Sequence, residues 1–373
     1  MTIKNKPLYI HIPFCEHLCA YCDFAKVYYD EKQAEKYLHA LIKEMEENPI
    51  KDCPTIYIGG GTPSALTLEQ LDFLLSFVSP LLQEKGEFTL ECNIENIDEK
   101  KLSLFRKYGV NRLSFGVQSF QPALLEKMGR HHRKENVMRV VMLAKEFGFD
   151  NINLDFIYGF PEQTLEDLIQ DIEIFCDLKV PHLSLYSLTV SPHTLFSLQN
   201  IEERDQDTLR TYYDEIYTRL QKAGYHRYEV SNFALEGYES KHNPYYWRNN
   251  EYIGVGAGAH GYLFGIRYEN TKSIPHYIEG KRRIYEEKVT KKDQILYEIM
   301  LNLRMEEGIH QTQFVARFGQ EVWNQFIAMT IPYQKTGWLI QEKDRLFCSH
   351  DGLMVLDTML REFFYQFEKE ETI

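Results

Sequence analysis

No stretch of this chain is apolar for long enough to span a bilayer, and no basic, apolar leader opens it. Membrane spanning and secretion are therefore not expected. Positive charge is in short supply: 42 Lys and Arg face 55 Asp and Glu, a formal charge of −13. That balance disfavours nonspecific binding to nucleic acid or anionic lipid, so no nucleic-acid partner is expected. Low-complexity segments and internal repeats are missing, which excludes solenoids and arrays. The seven cysteines are too few and too unevenly spread for a secreted disulfide framework, and a reducing cytoplasm fits them.

Three of those cysteines are clustered. The run Tyr9–Phe24 reads YIHIPFCEHLCAYCDF and places Cys15, Cys19 and Cys22 in a C-x3-C-x2-C array. Three thiolates on one loop can hold three irons of a [4Fe–4S] cube and leave the fourth open to a cofactor. With a ligand from elsewhere, the same three can hold zinc. The apolar run ahead of Cys15 reads as a buried strand feeding the loop. Cys53, Cys92, Cys176 and Cys348 are most simply packing residues.

Downstream, strand and helix patterns alternate about six times. Residues 30–47 carry Tyr37, Leu41, Ile42 and Met45 at helical spacing. TIYIGGGTPSAL is a strand ended by Gly59–Gly61, where glycines allow a ligand close to the backbone. EFTLECN, NRLSFGVQSF, INLDFIYGFP and HLSLYSLT are further strands, each separated by a helical segment. Such alternation predicts a parallel sheet covered by helices. Periodicity does not separate a barrel from an open doubly wound sheet, but both place function at the C-terminal strand ends. Cys15, Gly60, Glu91, Gln118 and Asp155 fall at or just beyond predicted strand ends, on one rim. Glu91 and Asp155 can equally be helix caps, and Arg130 lies in a basic run, RHHRK, that can be a solvated face.

HNPYYW, residues 242–247, crowds an imidazole and three aromatics beside a proline. Asn243-Pro244 predicts a turn there. A histidine among aromatic faces suits haem, and a hydrogen-bonded packing histidine is the plainer alternative. Beyond about residue 270 a mixed-charge stretch reads as a linker or exposed face. Short helices, a two-stranded wing at WLIQEKDRLFCSHDG and a closing helix predict a winged-helix-like domain. With an acidic chain and no basic recognition helix, a substrate cover or partner surface is preferred to DNA binding. The expected boundary is 1–268 and 269–373.

The cysteine array resembles the signature of the radical S-adenosylmethionine (SAM) superfamily. In that superfamily three cysteines bind the cube, and SAM chelates the fourth iron and is cleaved to a 5'-deoxyadenosyl radical. YIHIPFC narrows the resemblance to the oxygen-independent coproporphyrinogen III oxidases and their relatives. Phe24 stands where the oxidases carry a further cysteine, and only eight residues precede Tyr9 where they carry a longer segment. These departures, with HNPYYW, resemble the haem chaperone branch.

The resemblance implies a partial (β/α)6 barrel with a smaller helical, winged-helix-like C-terminal domain, an α/β fold. It implies SAM contacts at Tyr9, Tyr21, Gly60, Gly61, Thr62, Glu91, Gln118, Arg130 and Asp155, and a haem-site role for His242. His260 stands where a smaller apolar residue is expected, which argues against a second SAM. The implied function is haem binding and delivery to haem-acceptor proteins, such as respiratory membrane complexes, with a [4Fe–4S] cluster, SAM and an electron donor. A cytoplasmic protein with peripheral membrane contact is expected. The competing readings are radical decarboxylation of coproporphyrinogen III and a purely structural zinc protein.

Overall fold

The structure is a computed structural model and describes residues 2–369. Six strand–helix units follow one another. The strands are β1 (Leu8–Ile12), β2 (Cys53–Gly60), β3 (Leu82–Asn93), β4 (Arg112–Gln118), β5 (Asn151–Tyr158) and β6 (His182–Ser187). The helices after them are α1 (Glu31–Glu47), α2 (Leu68–Val78), α3 (Glu99–Lys107), α4 (Lys134–Glu146), α5 (Leu165–Asp177) and α6 (Gln206–Lys222). The six strands pair in parallel in chain order, and β7 (Ile253–Val255) returns to pair in parallel with β1. This is the partial barrel, with apolar strand residues such as Ile10, Ile58, Leu90, Phe115 and Leu154 fully buried.

Local chemistry sets the helix starts. Asp30 caps α1 through the Gln33 amide, and Thr67 with Gln70 and Thr164 with Asp167 form capping boxes on α2 and α5. Each cap satisfies amides that the first turn leaves without a partner.

The residues group into two compact units that are not contiguous in sequence. The first comprises 1–226, 233–242 and 251–287; the second comprises 227–232, 243–250 and 288–373. Strands His260–Leu263, Ile266–Asn270 and Arg283–Lys288 form a three-stranded sheet in that order, the first two antiparallel. The charged stretch expected as a linker is therefore partly an edge strand. This strand is exposed along almost its whole length, and the Arg283 guanidinium lies 3.5 Å over the Tyr268 ring.

The second unit has helices Lys291–Asn302, Gln311–Phe318 and Gln320–Lys335, the strand pair Leu339–Glu342 and Arg345–Cys348, and the closing helix Leu356–Lys369. A further short strand, Ile309–His310, joins the wing. The core gathers Phe314, Trp323, Phe326 and Phe363. Asn243–Trp247, expected as a turn, is a short helix. Pro244 sits in its first turn, where the missing N–H costs nothing and the fixed φ suits the helix.

Candidate active site around the cysteine loop

The cysteine loop leaves and returns beside itself. Phe14–Cys15 pairs in parallel with Val27–Tyr28, which brings both ends of the loop together. His11, on β1, ties the return: its Nε2 donates to the Ala25 carbonyl at 2.8 Å, and its Nδ1 accepts from the Tyr9 hydroxyl at 2.9 Å. Burial lowers its pKa to about 4, so the ring is neutral and has a free lone pair for Tyr9. Lys26 Nζ bonds the carbonyls of Cys19 and Cys22.

Cys15 is buried, and Cys19 and Cys22 are half-buried; all three are free thiols. Burial pushes the Cys15 thiol up to about 11, reinforced by the neighbouring Cys19 and Cys22. A bound cation would reverse that preference and hold the thiolates. Among the described residues no three His, Cys, Asp or Glu side chains converge closely enough to hold a metal ion. The three thiols thus share one loop without being closed on a common point.

The GGGTP segment meets this loop directly. Thr62 Oγ1 donates to Cys15 Sγ at 3.5 Å. Asn93 Nδ2 donates to Thr62 Oγ1 at 3.2 Å, and Asn93 Oδ1 accepts from Arg130 at 2.7 Å. Arg130 donates in turn to the Tyr21 hydroxyl at 3.2 Å. One polar chain therefore joins Cys15, Thr62, Asn93, Arg130 and Tyr21. Arg130 Nε is buried with no partner, which a carboxylate ligand would satisfy. Arg130 is thus not a solvated basic face.

The glycine run was expected to admit a ligand, but the protein itself already crowds it. A Cβ at Gly60, whose φ is +111°, would meet the His11 ring at 2.4 Å. At Gly59 it would meet Glu91 at 2.7 Å, and at Gly61 the Ile12 carbonyl oxygen at 2.9 Å. Gly116 serves similarly, since a Cβ there would reach Arg130 at 2.9 Å.

Glu91 accepts from Tyr57 at 2.7 Å and from the Gly60 amide at 3.0 Å. Burial raises its pKa to about 7, with the Asp155 carboxyl adding repulsion. Asp155 accepts from Asn153 and Ser114 and is itself raised by burial. Neither is a helix cap. Both also depart from the rim expectation: Glu91 lies two residues, and Asp155 three, before the last residue of its strand. They stand inside the strands, where register aligns Glu91 with Ser114 and Gly116 with Asp155. Gln118 does end β4, in a bulged register with φ +68°, a strained backbone for a residue with a side chain.

His242 lies elsewhere than expected for a haem-iron ligand. It is 1% exposed, its Nδ1 shares a 2.7 Å hydrogen bond with Thr55 Oγ1, and its ring lies 5.2 Å from that of Tyr57. Burial, with the Arg112 charge, lowers its pKa to about 3. An axial ligand needs a nitrogen open to the macrocycle; this imidazole is interior, because the segment before the Asn243 helix is tied to Thr55 on β2 and Glu87 on β3. The exposed imidazoles near the cysteine loop are instead His17 and His131, with ring centroids 4.8 Å apart.

Sequence reasoning passed over Asn93, Tyr57 and His11. Asn93 carried one signal, a polar residue closing a strand. Tyr57 carried none, since alternation marks a strand but not what its side chain meets.

The chain resembles known proteins over most of its length. Residues 9–175 match the radical SAM superfamily and 289–355 the HemN C-terminal domain. Coproporphyrinogen III oxidase (HemN) from Escherichia coli, described as a radical SAM enzyme, superposes with a TM-score of 0.83. That match covers 96% of this chain and 90% of the oxidase at 21% identity, which speaks for the fold. The heme chaperone HemW of Lactococcus lactis is 44% identical, covering 85% of this chain and 86% of its own length. That of Bacillus subtilis is 38% identical, covering 94% and 97%. By descent and by fold, the chain belongs to the heme chaperone HemW family of radical SAM proteins.

Proposed function

We propose that the protein binds haem and hands it to haem-requiring acceptor proteins, with a [4Fe–4S] cluster and SAM held at the cysteine loop. The observation that carries the cofactor part is the polar chain from Cys15 through Thr62 and Asn93 to Arg130 and Tyr21. It links one candidate cluster ligand, Cys15, to three candidate SAM residues, Thr62, Arg130 and Tyr21, which supports one shared site. Cys15, Cys19 and Cys22 would hold the cluster. Arg130, with its unpartnered Nε, would take the SAM carboxylate, and Glu91 and Asp155 would accept from its hydroxyls. Tyr9, Gly60, Gly61, Thr62 and Gln118 complete the lining. A bound cluster supplies one-electron reduction to SAM.

The haem part rests on the named relatives and on Phe24. In the oxidase pattern that position carries a cysteine; here it is an aromatic ring 63% exposed next to the loop. An exposed aromatic beside a metal site offers an apolar face to a macrocycle. The acceptors would include respiratory membrane complexes, reached from outside the bilayer. Among the described residues no helix is long and apolar enough to cross a membrane.

The test is anaerobic incubation of reconstituted protein with haem and, separately, with coproporphyrinogen III, SAM and a reductant. A Soret band that follows the protein, with no protoporphyrinogen IX formed, is the expected result. Turnover of coproporphyrinogen III would restore the oxidase reading.

A further inference from the structure

His242 is the residue that the sequence offered to haem, yet its surroundings belong to the cofactor pocket. Thr55 and Tyr57 lie two apart on β2 and so project to the same side of the strand. His242 engages both: Nδ1 bonds Thr55 Oγ1 at 2.7 Å, and the imidazole lies 5.2 Å from the Tyr57 ring at 35°. The Tyr9 ring borders Tyr57 as well, at 6.1 Å and 32°. The Tyr57 hydroxyl then donates to Glu91 Oε1 at 2.7 Å.

The approach of His242 is itself fixed. The Lys241 amide lies 3.1 and 3.2 Å from the two Glu87 oxygens, and the His242 amide donates to Ser240 Oγ at 3.2 Å. Glu87 is the register partner of Thr55, so this segment crosses β2 and β3 three levels below Ile58 and Leu90. His242 therefore sits beneath the proposed SAM residues, toward the N-terminal ends of the strands. With the imidazole behind it and Tyr9 beside it, the Tyr57 ring has little freedom. Glu91 is then held at both oxygens, by Tyr57 and by the Gly60 amide.

We propose that His242 is a positioning residue for the SAM pocket: it fixes Tyr57, and Tyr57 fixes the Glu91 carboxyl. The histidine of the haem-chaperone motif would thus act on SAM affinity and not on haem iron. This rests on the reading above that Glu91 contacts SAM. A buried neutral imidazole suits the task, because it packs and hydrogen-bonds without adding charge beside a carboxyl.

The experiment titrates SAM calorimetrically into the anaerobically reconstituted full chain and records haem absorption on the same samples. Glu91→Gln should weaken SAM about tenfold or more, the scale of a lost charge-assisted hydrogen bond. Tyr57→Phe and His242→Ala should each weaken it about three- to tenfold. Combining His242→Ala with Tyr57→Phe should add nothing beyond Tyr57→Phe alone, which mere loss of packing would not produce. His242→Phe and Thr55→Val give the same reading should the alanine variant fold poorly. The Soret band should be that of the parent in every case. If Glu91→Gln leaves SAM affinity unchanged, the SAM reading fails. If Glu91→Gln weakens SAM while the His242 variants do not, or if the losses add in full, the positioning role fails. A shifted Soret band in His242→Ala would return the residue to haem.

Discussion

The first unit buries Glu44, Glu87, Arg112, His11, His182 and His242 among its strands and helices, and half-buries Glu91 and Asp155. The second packs Phe314, Trp323, Phe326, Phe363 and Phe367 against one another, with Glu298 paired to Arg317 at its margin. Charged groups are costly to bury and persist only when hydrogen-bonded or paired. In the first unit each of these groups has such partners: Glu44 accepts from the Gly256 amide, the Asn270 side chain and the Tyr277 hydroxyl. Buried ionisable groups with shifted pKa values cluster at functional sites, and His11, Glu91 and Asp155 are such groups at the candidate site. The second unit buries Arg227, Glu229 and Glu298 as well, but outside its aromatic core, which contributes stability.

Perturbation should separate the two regions. The largest effect is expected at the cysteine loop. Replacing Cys15, Cys19 or Cys22 by Ala should abolish the cluster absorption of reconstituted protein. Cys53→Ala, Cys92→Ala, Cys176→Ala and Cys348→Ala should retain it. Burial pushes the Cys53 and Cys348 thiols up to about 12 and Cys176 to about 11, so they resist ionisation. If a distant cysteine proves as necessary as Cys19, the three-ligand assignment is wrong.

Phe326→Ala should cost about 3–5 kcal/mol by urea denaturation. It should leave iron content and SAM affinity of the folded fraction unchanged, and a matching loss of SAM affinity would erase the contrast between the regions. Arg130→Ala and Asp155→Ala should do the opposite. Each should weaken SAM by about 1.5–3 kcal/mol in calorimetry while iron content stays near that of the parent.

A smaller effect is expected from pH. Glu91 is raised by burial to about 7 from 4.5. Below that value it is protonated, and above it is a carboxylate able to accept from SAM hydroxyls. SAM affinity should therefore rise from pH 6 to pH 8, and Glu91→Gln should flatten the profile. The stability term has the opposite sign: with the folded pKa above the unfolded one, this group's contribution falls as pH rises from 4.5 to 7. The smallest effect belongs to the surface. Glu307→Ala, which breaks the pair with Arg248, should cost under about 1 kcal/mol in the same denaturation assay.

Much of this architecture was legible in the chain. The six strand–helix repeats stand where periodicity put them, and the wing and its helices do too, because hydrophobic spacing and caps are local. The cysteine spacing carried the resemblance to the superfamily that residues 9–175 match. Where reading failed within a segment, local signals were ambiguous. Asp155 was placed at a rim as lying near the end of INLDFIYGFP, but the strand runs three residues past it, to Tyr158. RIYEEK was read by charge; without alternation, only its pairing beside Ile266–Asn270 makes it an edge strand. HNPYYW was read as a turn because Pro244 breaks helices in their interior but not in their first turn.

The amino-acid sequence by itself determined the alternating parallel fold, the thiol loop and the apolar core of the second unit. Each depends on spacing within one segment. Only the tertiary structure decided which polar groups meet. Asn93 joins Thr62 to Arg130, the glycines of β2 make room for His11 and Glu91, and His242 lies against Thr55, 187 residues away. Those pairings depend on the register of neighbouring strands and on where a returning segment crosses them, and no local periodicity encodes either.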